Sequence, residues 1–310
     1  MSAESAASSP PWGGVAPAAA ASLPRVVALL PAWNAARFIE PVLRSLDAQT
    51  YPNLQVLVSD DASTDGTGAL CERFAAGRPR FVVHRQAHNR GWIGNDNWLL
   101  AHADGDAFFF AFHDDPLEPA YVERLAAALQ GAPDAVLAHT DVIVDHHSLD
   151  PTAGGVHRFV ALSGVASARE RLRVLMRRPE GWWIPNRGLF RASAAARIGG
   201  LRRHPGGEFS ADWPWLMHLA LLGAFVRVPE PLVHKVWLRE GLSVVWGRGR
   251  RKRLGLLVGA LREIARADVP LALRMQVLGD LCGCWVARAA GRLKDAWQRR
   301  FGRAERAGSP

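Results

Sequence analysis

The chain has 310 residues, 49% of them hydrophobic and 22% charged, a globular composition able to bury one large or two modest cores. Its formal net charge of +9 is unevenly placed, with acidic pairs in the first half and Arg and Lys crowded into the last quarter. Three cysteines, Cys71, Cys282 and Cys284, make neither a disulfide framework nor a zinc pattern, which fits a reducing, cytoplasmic compartment, and no window of about 18 to 20 uncharged apolar residues offers a membrane span.

Residues 1–24 are rich in Ala, Ser and Pro, with Glu4 as their only charge, and read as a disordered tail. They lack the basic n-region of a secretory signal. Residues 25–34, RVVALLPAWN, form a first buried strand, and 36–50 place Phe38, Ile39, Val42, Leu43 and Leu46 at helical spacing. A second apolar run, 54–59, breaks into Asp60-Asp61, and a helix over 66–76 follows, with Ser63, Thr64 or Asp65 as its cap. A third run, 107–112, breaks into His113-Asp114-Asp115-Pro116. Strand, helix, strand, helix, strand is the pattern of a doubly wound α/β sheet, mostly parallel and mixed in its later strands, with flanking helices. Its carboxyl-terminal edge carries both acid pairs, which suggests a site for a metal and a phosphorylated ligand.

The chain changes character at 247. Arg248, Arg250, Arg251, Lys252 and Arg253 open a stretch in which apolar helical segments, 254–261 and 269–285, alternate with further arginines. A basic, amphipathic, helical extension over 247–310 without a span suits attachment to the anionic inner face of the plasma membrane. Nucleic acid is disfavoured as a partner, because the charge accompanies no recognised binding motif.

Several ordered motifs give residues 25 to about 245 a resemblance to the family 2 glycosyltransferases, nucleotide-sugar-dependent, inverting enzymes of the GT-A fold. Pro31-Ala32-Trp33-Asn34 stands at the family's strand-end turn, and SDDASTDGT, Ser59 to Thr67, is close to its second-strand motif. Asn89-Arg90-Gly91 to Asn97 is similar to its Asn-x-Gly segment, and Phe108 to Asp115 stands at its metal motif. Asn186 to Arg191 with Ile198 to Leu201 resembles the acceptor-side segment, and Ala211-Asp212-Trp213 leading to Val228-Pro229-Glu230-Pro231-Leu232 resembles the catalytic-base helix and the strand after it. The resemblance implies a nucleotide-binding half over 25–116 and an acceptor and catalytic half over 117–246. It implies hexosyl transfer from a nucleoside-diphosphate sugar to a carbohydrate or lipid-linked carbohydrate hydroxyl, in cell-surface polysaccharide assembly.

Each motif also has a physical reading. A nucleobase needs a flat apolar surface and a hydrogen-bond acceptor, which Trp33 and Asp60 or Asp61 supply, beside Pro31 and Asn34. Asp114, with Asp115 next and His113 as auxiliary, fits Mn²⁺ or Mg²⁺, which bind carboxylate and phosphate oxygens. Inversion needs a carboxylate opposite the leaving group, the role given to Asp212, which could also cap its helix. Trp182, Trp183 and Trp213, with Asn186 and Glu208, offer ring faces and polar groups to an acceptor.

Departures from the family pattern are Phe112 for the first acid of the metal motif, Ala211 for the acid before the base, and Asp96 for an Arg that leaves the diphosphate to Arg90. Beyond Pro231-Leu232, where a family His commonly joins the metal, stand His234 and Arg239, the latter able to hold the diphosphate directly. A nucleotidyltransferase is disfavoured, because residues 31–37 carry a single arginine and no Gly-rich loop. The alternative supported by Phe112 and Ala211 is a degenerate relative that binds sugar nucleotides or tethers an assembly at a membrane.

Overall fold

The computed structural model describes residues 23–147, 154–237 and 249–301. Residues 1–22 of the tail predicted over 1–24, and Arg239, lie outside the described residues. Strand β1 (Val26–Ala32) is buried at every position, as a central strand should be. It pairs in parallel with β2 (Leu54–Asp60) and with β4 (Ala107–Phe110), and β2 pairs in parallel with β3 (Phe81–Arg85). The crossovers are α1 (Ile39–Asp47), α2 (Thr67–Ala75) and α3 (Trp92–His102). Helix α1 buries Ile39, Val42, Leu43 and Leu46 from one stripe, the spacing read from the sequence.

The expected mostly parallel α/β sheet is therefore borne out, with shorter elements at their ends. The third apolar run leaves the sheet after Phe110, because Phe112 and Asp115 close a turn through the Asp115 N–H and the Phe112 carbonyl. Helix α2 starts from Gly66, whose φ of 91° only glycine adopts readily. Asp65, one residue earlier, accepts the Thr67 N–H at 3.0 Å and its hydroxyl at 2.5 Å, so it ties down the helix start from outside the cap position.

The second half comprises α4 (Tyr121–Gln130), β5 (Ala135–His147), β6 (Gly155–His157), α5 (Ala168–Arg177), β7 (Leu189–Arg191), α6 (Ala192–Ile198), α7 (Asp212–Leu222) and β8 (Ala224–Trp237). Among the described residues the sheet has eight strands in the order β3-β2-β1-β4-β7-β5-β6, with β8 alongside β5. Strand β7 runs antiparallel to β4 and β5, which makes the sheet mixed on this side. Helix α7 has no solvent face: every residue from Trp213 to Leu221 is buried.

Two further helices, α8 (Arg250–Arg266) and α9 (Leu271–Phe301), form the described part of the basic extension, and both pack on the acceptor half. Gly255, Leu256, Gly259, Ala260 and Ile264 of α8 are buried, and Gly259 lies so close to His204 that a Cβ there would meet its side chain at 2.9 Å. Glu263 of α8 reaches the buried His218 of α7, Oε2 to Nδ1, at 2.9 Å. On α9, Asp280 accepts from Arg169 at 2.7 Å and Arg173 at 3.0 Å, both on α5. The outer side of α9 exposes Leu271, Met275 and Val286. No helix among the described residues is long and apolar enough to cross a membrane.

Candidate active site

The parallel register aligns Ala32 with Asp60 and Leu29 with Phe110, so β1 and β2 end together, β4 stops three residues short of them, and the turns that follow all lie at the same edge. Successive strand residues face opposite sides, and this separates the first acid pair. Asp61 follows β2, its N–H donating to the Ala32 carbonyl, and its Oδ1 accepts the Arg90 N–H at 2.7 Å. Burial raises the Asp61 pKa against the Arg90 and Gly91 amides that lower it. Asp60 is fully buried on the other side, where Arg85 Nε lies 3.6 Å away and a Cβ on Gly68 of α2 would meet its Oδ2 at 2.5 Å. Of the two readings for the nucleoside acceptor, the geometry places Asp61 at the edge and turns Asp60 away under α2.

Trp33 is 50% exposed, which leaves its ring free to meet a ligand. Pro31 is buried inside β1 opposite Ser59, so its carbonyl rather than its ring faces a strand partner. Asn34 takes a left-handed φ of 47° and accepts the Thr64 N–H at 2.9 Å, locking the 60s loop to the end of β1. Beneath lies a closed polar chain: Arg90 Nε donates to Gln86 at 2.7 Å, Gln86 to the Ser59 hydroxyl at 2.9 Å, and Ser59 to Asn95 at 2.6 Å. Asp96 is buried beside it with Oδ1 unpartnered, and burial pushes its pKa well up, with Glu208, Asp61 and Asp212 adding to the rise. A buried carboxyl whose charged form is disfavoured thus occupies the position where the resemblance places an arginine.

The second acid pair also divides. Asp114 is half-buried, and among the described residues its carboxylate makes no hydrogen bond or ion pair, nor does the half-buried His113 beside it. Asp115 is buried, with Oδ2 on Arg187 Nε at 2.6 Å and Oδ1 on Lys235 Nζ at 3.3 Å. Burial alone would raise its pKa, yet the two cations hold it below the usual carboxylate range. Both Asp115 oxygens are therefore taken, and among the described residues no group of three or more His, Cys, Asp or Glu side chains is placed to hold a cation. One free carboxylate fits a divalent ion completed by substrate phosphates and water, not one caged by protein alone. His234 is committed elsewhere: Glu118 at 2.6 Å and Asp145 at 2.8 Å raise its pKa against the lowering effect of burial.

Across this edge stands Asp212, the first residue of α7. It accepts the Trp213 N–H at 3.1 Å on Oδ1 and Asn186 Nδ2 at 3.3 Å on Oδ2. Burial raises its pKa, and the Arg178 and Arg187 charges pull it back. Ala211, not Asp212, is the cap residue. Trp182 and Trp183 are half-buried, but Trp213 is core: it is 2% exposed and its Nε1 donates to the Leu175 carbonyl at 2.9 Å, so its place among acceptor surfaces is corrected.

Three cations have no place in the sequence reading of the site. Arg178 stacks over Trp213 at 4.2 Å and Trp182 at 4.9 Å. Arg187 lies over Phe112 at 4.6 Å and Trp183 at 4.9 Å. Lys235 arrives from β8. The signal available in the sequence is Phe112 itself, an aromatic ring where an acid is expected.

Acid-bearing ends of a parallel half-sheet, joined to a mixed half that carries a further carboxylate, define a GT-A-type fold. The glycosyl transferase family 2 model matches residues 28–183, and the chain belongs to that family. Among curated relatives, "Glycosyltransferase GlyG" of Streptococcus pneumoniae is 24% identical over 162 residues, 52% of each chain. The chain spans about half or less of the length of the first curated relatives it matches. Among solved structures, S. aureus TarS 1–349 in complex with UDP-GlcNAc superposes with a TM-score of 0.64 at 18% identity, covering 84% of this chain and 72% of that one. Mannosyltransferase PcManGT from Pyrobaculum calidifontis, in complex with GDP-Man and Mn2+, gives 0.53 at 19% identity, covering 86% and 75%.

Proposed function

We propose that the protein is an inverting glycosyltransferase that moves a sugar from a nucleoside-diphosphate sugar to a hydroxyl of a carbohydrate or lipid-linked carbohydrate. The observation that carries this reading is Asp212, a half-buried carboxylate fixed by Asn186 and by its own helix, facing the strand edge that holds Asp61 and Asp114. Asp61 accepts from the base of the nucleoside, Trp33 covers its face, and Arg90 borders it from the tethered 86–91 segment. Asp114 would hold Mg²⁺ or Mn²⁺ together with the donor phosphates, and the ion would supply positive charge to the diphosphate. Trp182, Trp183 and Asn186 receive the acceptor.

In the transfer, the acceptor oxygen bonds to the anomeric carbon and its proton passes to Asp212. The bond from that carbon to the diphosphate oxygen breaks, and the electron pair leaves with the diphosphate. A carboxylate whose pKa is raised by burial is a stronger base than an exposed one, which suits this proton transfer. Solved neighbours with UDP-GlcNAc and with GDP-Man and Mn2+ put those two donors first for testing. Exposed Leu271, Met275 and Val286 on α9, together with the basic run at the start of α8, support peripheral attachment to an anionic membrane. Cell-surface polysaccharide assembly is the matching role.

The test is calorimetry of a panel of nucleoside-diphosphate sugars with and without Mn²⁺, on wild type, Asp114→Asn and Asp212→Asn. Metal-dependent binding that is lost in Asp114→Asn and kept in Asp212→Asn is the expected result. Absence of binding to every donor by the folded protein would favour the degenerate, tethering alternative.

A further inference from the structure

In the turn that follows β4, one buried carboxylate joins two cations. Asp115 contributes one negative charge, and Arg187 and Lys235 both pair with it, at 2.6 Å and 3.3 Å. The side chains of all three are at least nine-tenths buried or nearly so: 2% of Asp115, 9% of Lys235 and 11% of Arg187 is exposed. Among the described residues, Nε is the only atom of the Arg187 side chain that hydrogen-bonds, and the Nη edge is not sealed from solvent.

That edge is held firmly. The guanidinium is layered between Phe112 and Trp183, contacts that orient a planar cation while leaving its donors free. The backbone is pinned as well, because the Tyr121 hydroxyl donates to the Arg187 carbonyl and a Cβ on Gly188 would meet the Ala138 carbonyl at 2.5 Å. Arg187 thus joins the two halves of the site: its Nε holds Asp115 beyond β4, its neighbour Asn186 donates to Asp212, and its charge lowers the proton affinity of Asp212. Phe112 matters in a second way. An acid at 112 would sit under the guanidinium and neutralise it, whereas a phenyl ring leaves its charge for a ligand.

Resting on the transferase reading above, we infer that Arg187 is a further catalytic residue, whose free Nη edge binds an oxygen of the departing diphosphate and supplies part of the charge stabilisation from the protein itself. The bond broken and the bond formed are those already given, and Arg187 stays protonated throughout.

The experiment uses the full chain and compares binding of nucleoside diphosphates with the matching monophosphates of uridine, guanosine, adenosine, cytidine and thymidine, in EDTA and in Mn²⁺. In EDTA the wild type should prefer its cognate diphosphate by roughly tenfold to a hundredfold, the range of a hydrogen bond to a charged group. Arg187→Gln should abolish that preference while monophosphate binding stays within about twofold, and Arg187→Lys should restore part of it, because the charge returns without the fork. Phe112→Asp, which keeps the arginine, should also abolish it, and Asp115→Asn, which frees the arginine further, should retain it. A preference unchanged in both Arg187→Gln and Phe112→Asp overturns the inference and leaves Arg187 a structural partner of Asp115. A folded wild type that binds no nucleotide even with Mn²⁺ overturns the transferase reading first, and the inference with it.

Discussion

Replacing Glu263 with alanine removes the one acidic group that α8 sends to α7. The His218 side chain is 1% exposed and that of Glu263 6%, so the 2.9 Å contact between them is shielded from water. Arg202 at 3.5 Å and Arg266 at 3.4 Å also face Glu263, but they are 51% and 28% exposed and would rehydrate. His218 cannot: its Nε2 already lacks a partner, and the substitution would strand Nδ1 beside it. Leaving a buried hydrogen-bonding group without its partner costs about 1–3 kcal/mol, with bonds to a charged group at the upper end, and the carboxylate of Glu263 places the expected loss near about 3 kcal/mol. At about 2–4 °C per kcal/mol for a large domain, the melting temperature should fall by about 6–12 °C. Urea denaturation followed by circular dichroism measures the loss directly, with an unchanged m-value confirming a stability effect. The double substitution His218→Leu with Glu263→Leu should recover most of it, because apolar residues of similar size leave nothing unpaired. A loss below about 1 kcal/mol for Glu263→Ala, the worth of an exposed pair, would refute the claim that this contact holds α8 to α7.

Asp212→Asn should lower kcat by about 10²–10⁴-fold while donor binding persists, measured by product formation alongside calorimetry. Asp212 acts deprotonated and burial raises its pKa, so activity should fall as pH drops through a value above about 4, the ordinary aspartate pKa, seen as the acid limb of kcat/KM. Asp115 has the opposite shift: its stabilisation is full above the unfolded carboxylate value and is lost as pH falls through its lowered folded value, which thermal melts across acid pH will show in the wild type and not in Asp115→Asn. Gly188→Ala places a Cβ 2.5 Å from the Ala138 carbonyl and should cost about 1–3 kcal/mol by overpacking. It should also weaken diphosphate binding in EDTA by displacing Arg187.

The parallel half of the fold was legible because buried parallel strands are continuous apolar runs, and β1, β2 and β4 are such runs, the last two followed by acid pairs. Which acid of each pair faces the site was not legible. Strand alternation says that Asp60 and Asp61 diverge, but only the packing of Asp60 against Gly68 says which way. Asp115 and Arg187 are 72 residues apart in sequence, and their pairing needs β4 and the turn before β7 to be brought together. Trp213 illustrates the converse: an indole next to the candidate base resembles a ligand surface until its Nε1 is found bonded to Leu175 in the interior. In the extension, the arginines speak only for the outward face, while Gly255, Gly259 and Ala260, spaced along one face of α8, carry the signal for close helix packing.

Helix α7 holds Asp212 at its first residue and is enclosed on every side, by sheet, by α5 and α6, and by α8. A helix with no solvent face cannot rotate or slide without repacking all of its neighbours. Tolerance to mutation should therefore be least along this helix, even at positions remote from the carboxylate, and greatest on the outer side of α9. A random library selected for folded protein alone, with no demand for activity, would still be depleted of changes from Trp213 to Leu221. The setting of the base is in this sense protected by the requirement to fold, and acceptor preference is left to vary through residues such as Trp182 and Trp183 that border α7 without belonging to it.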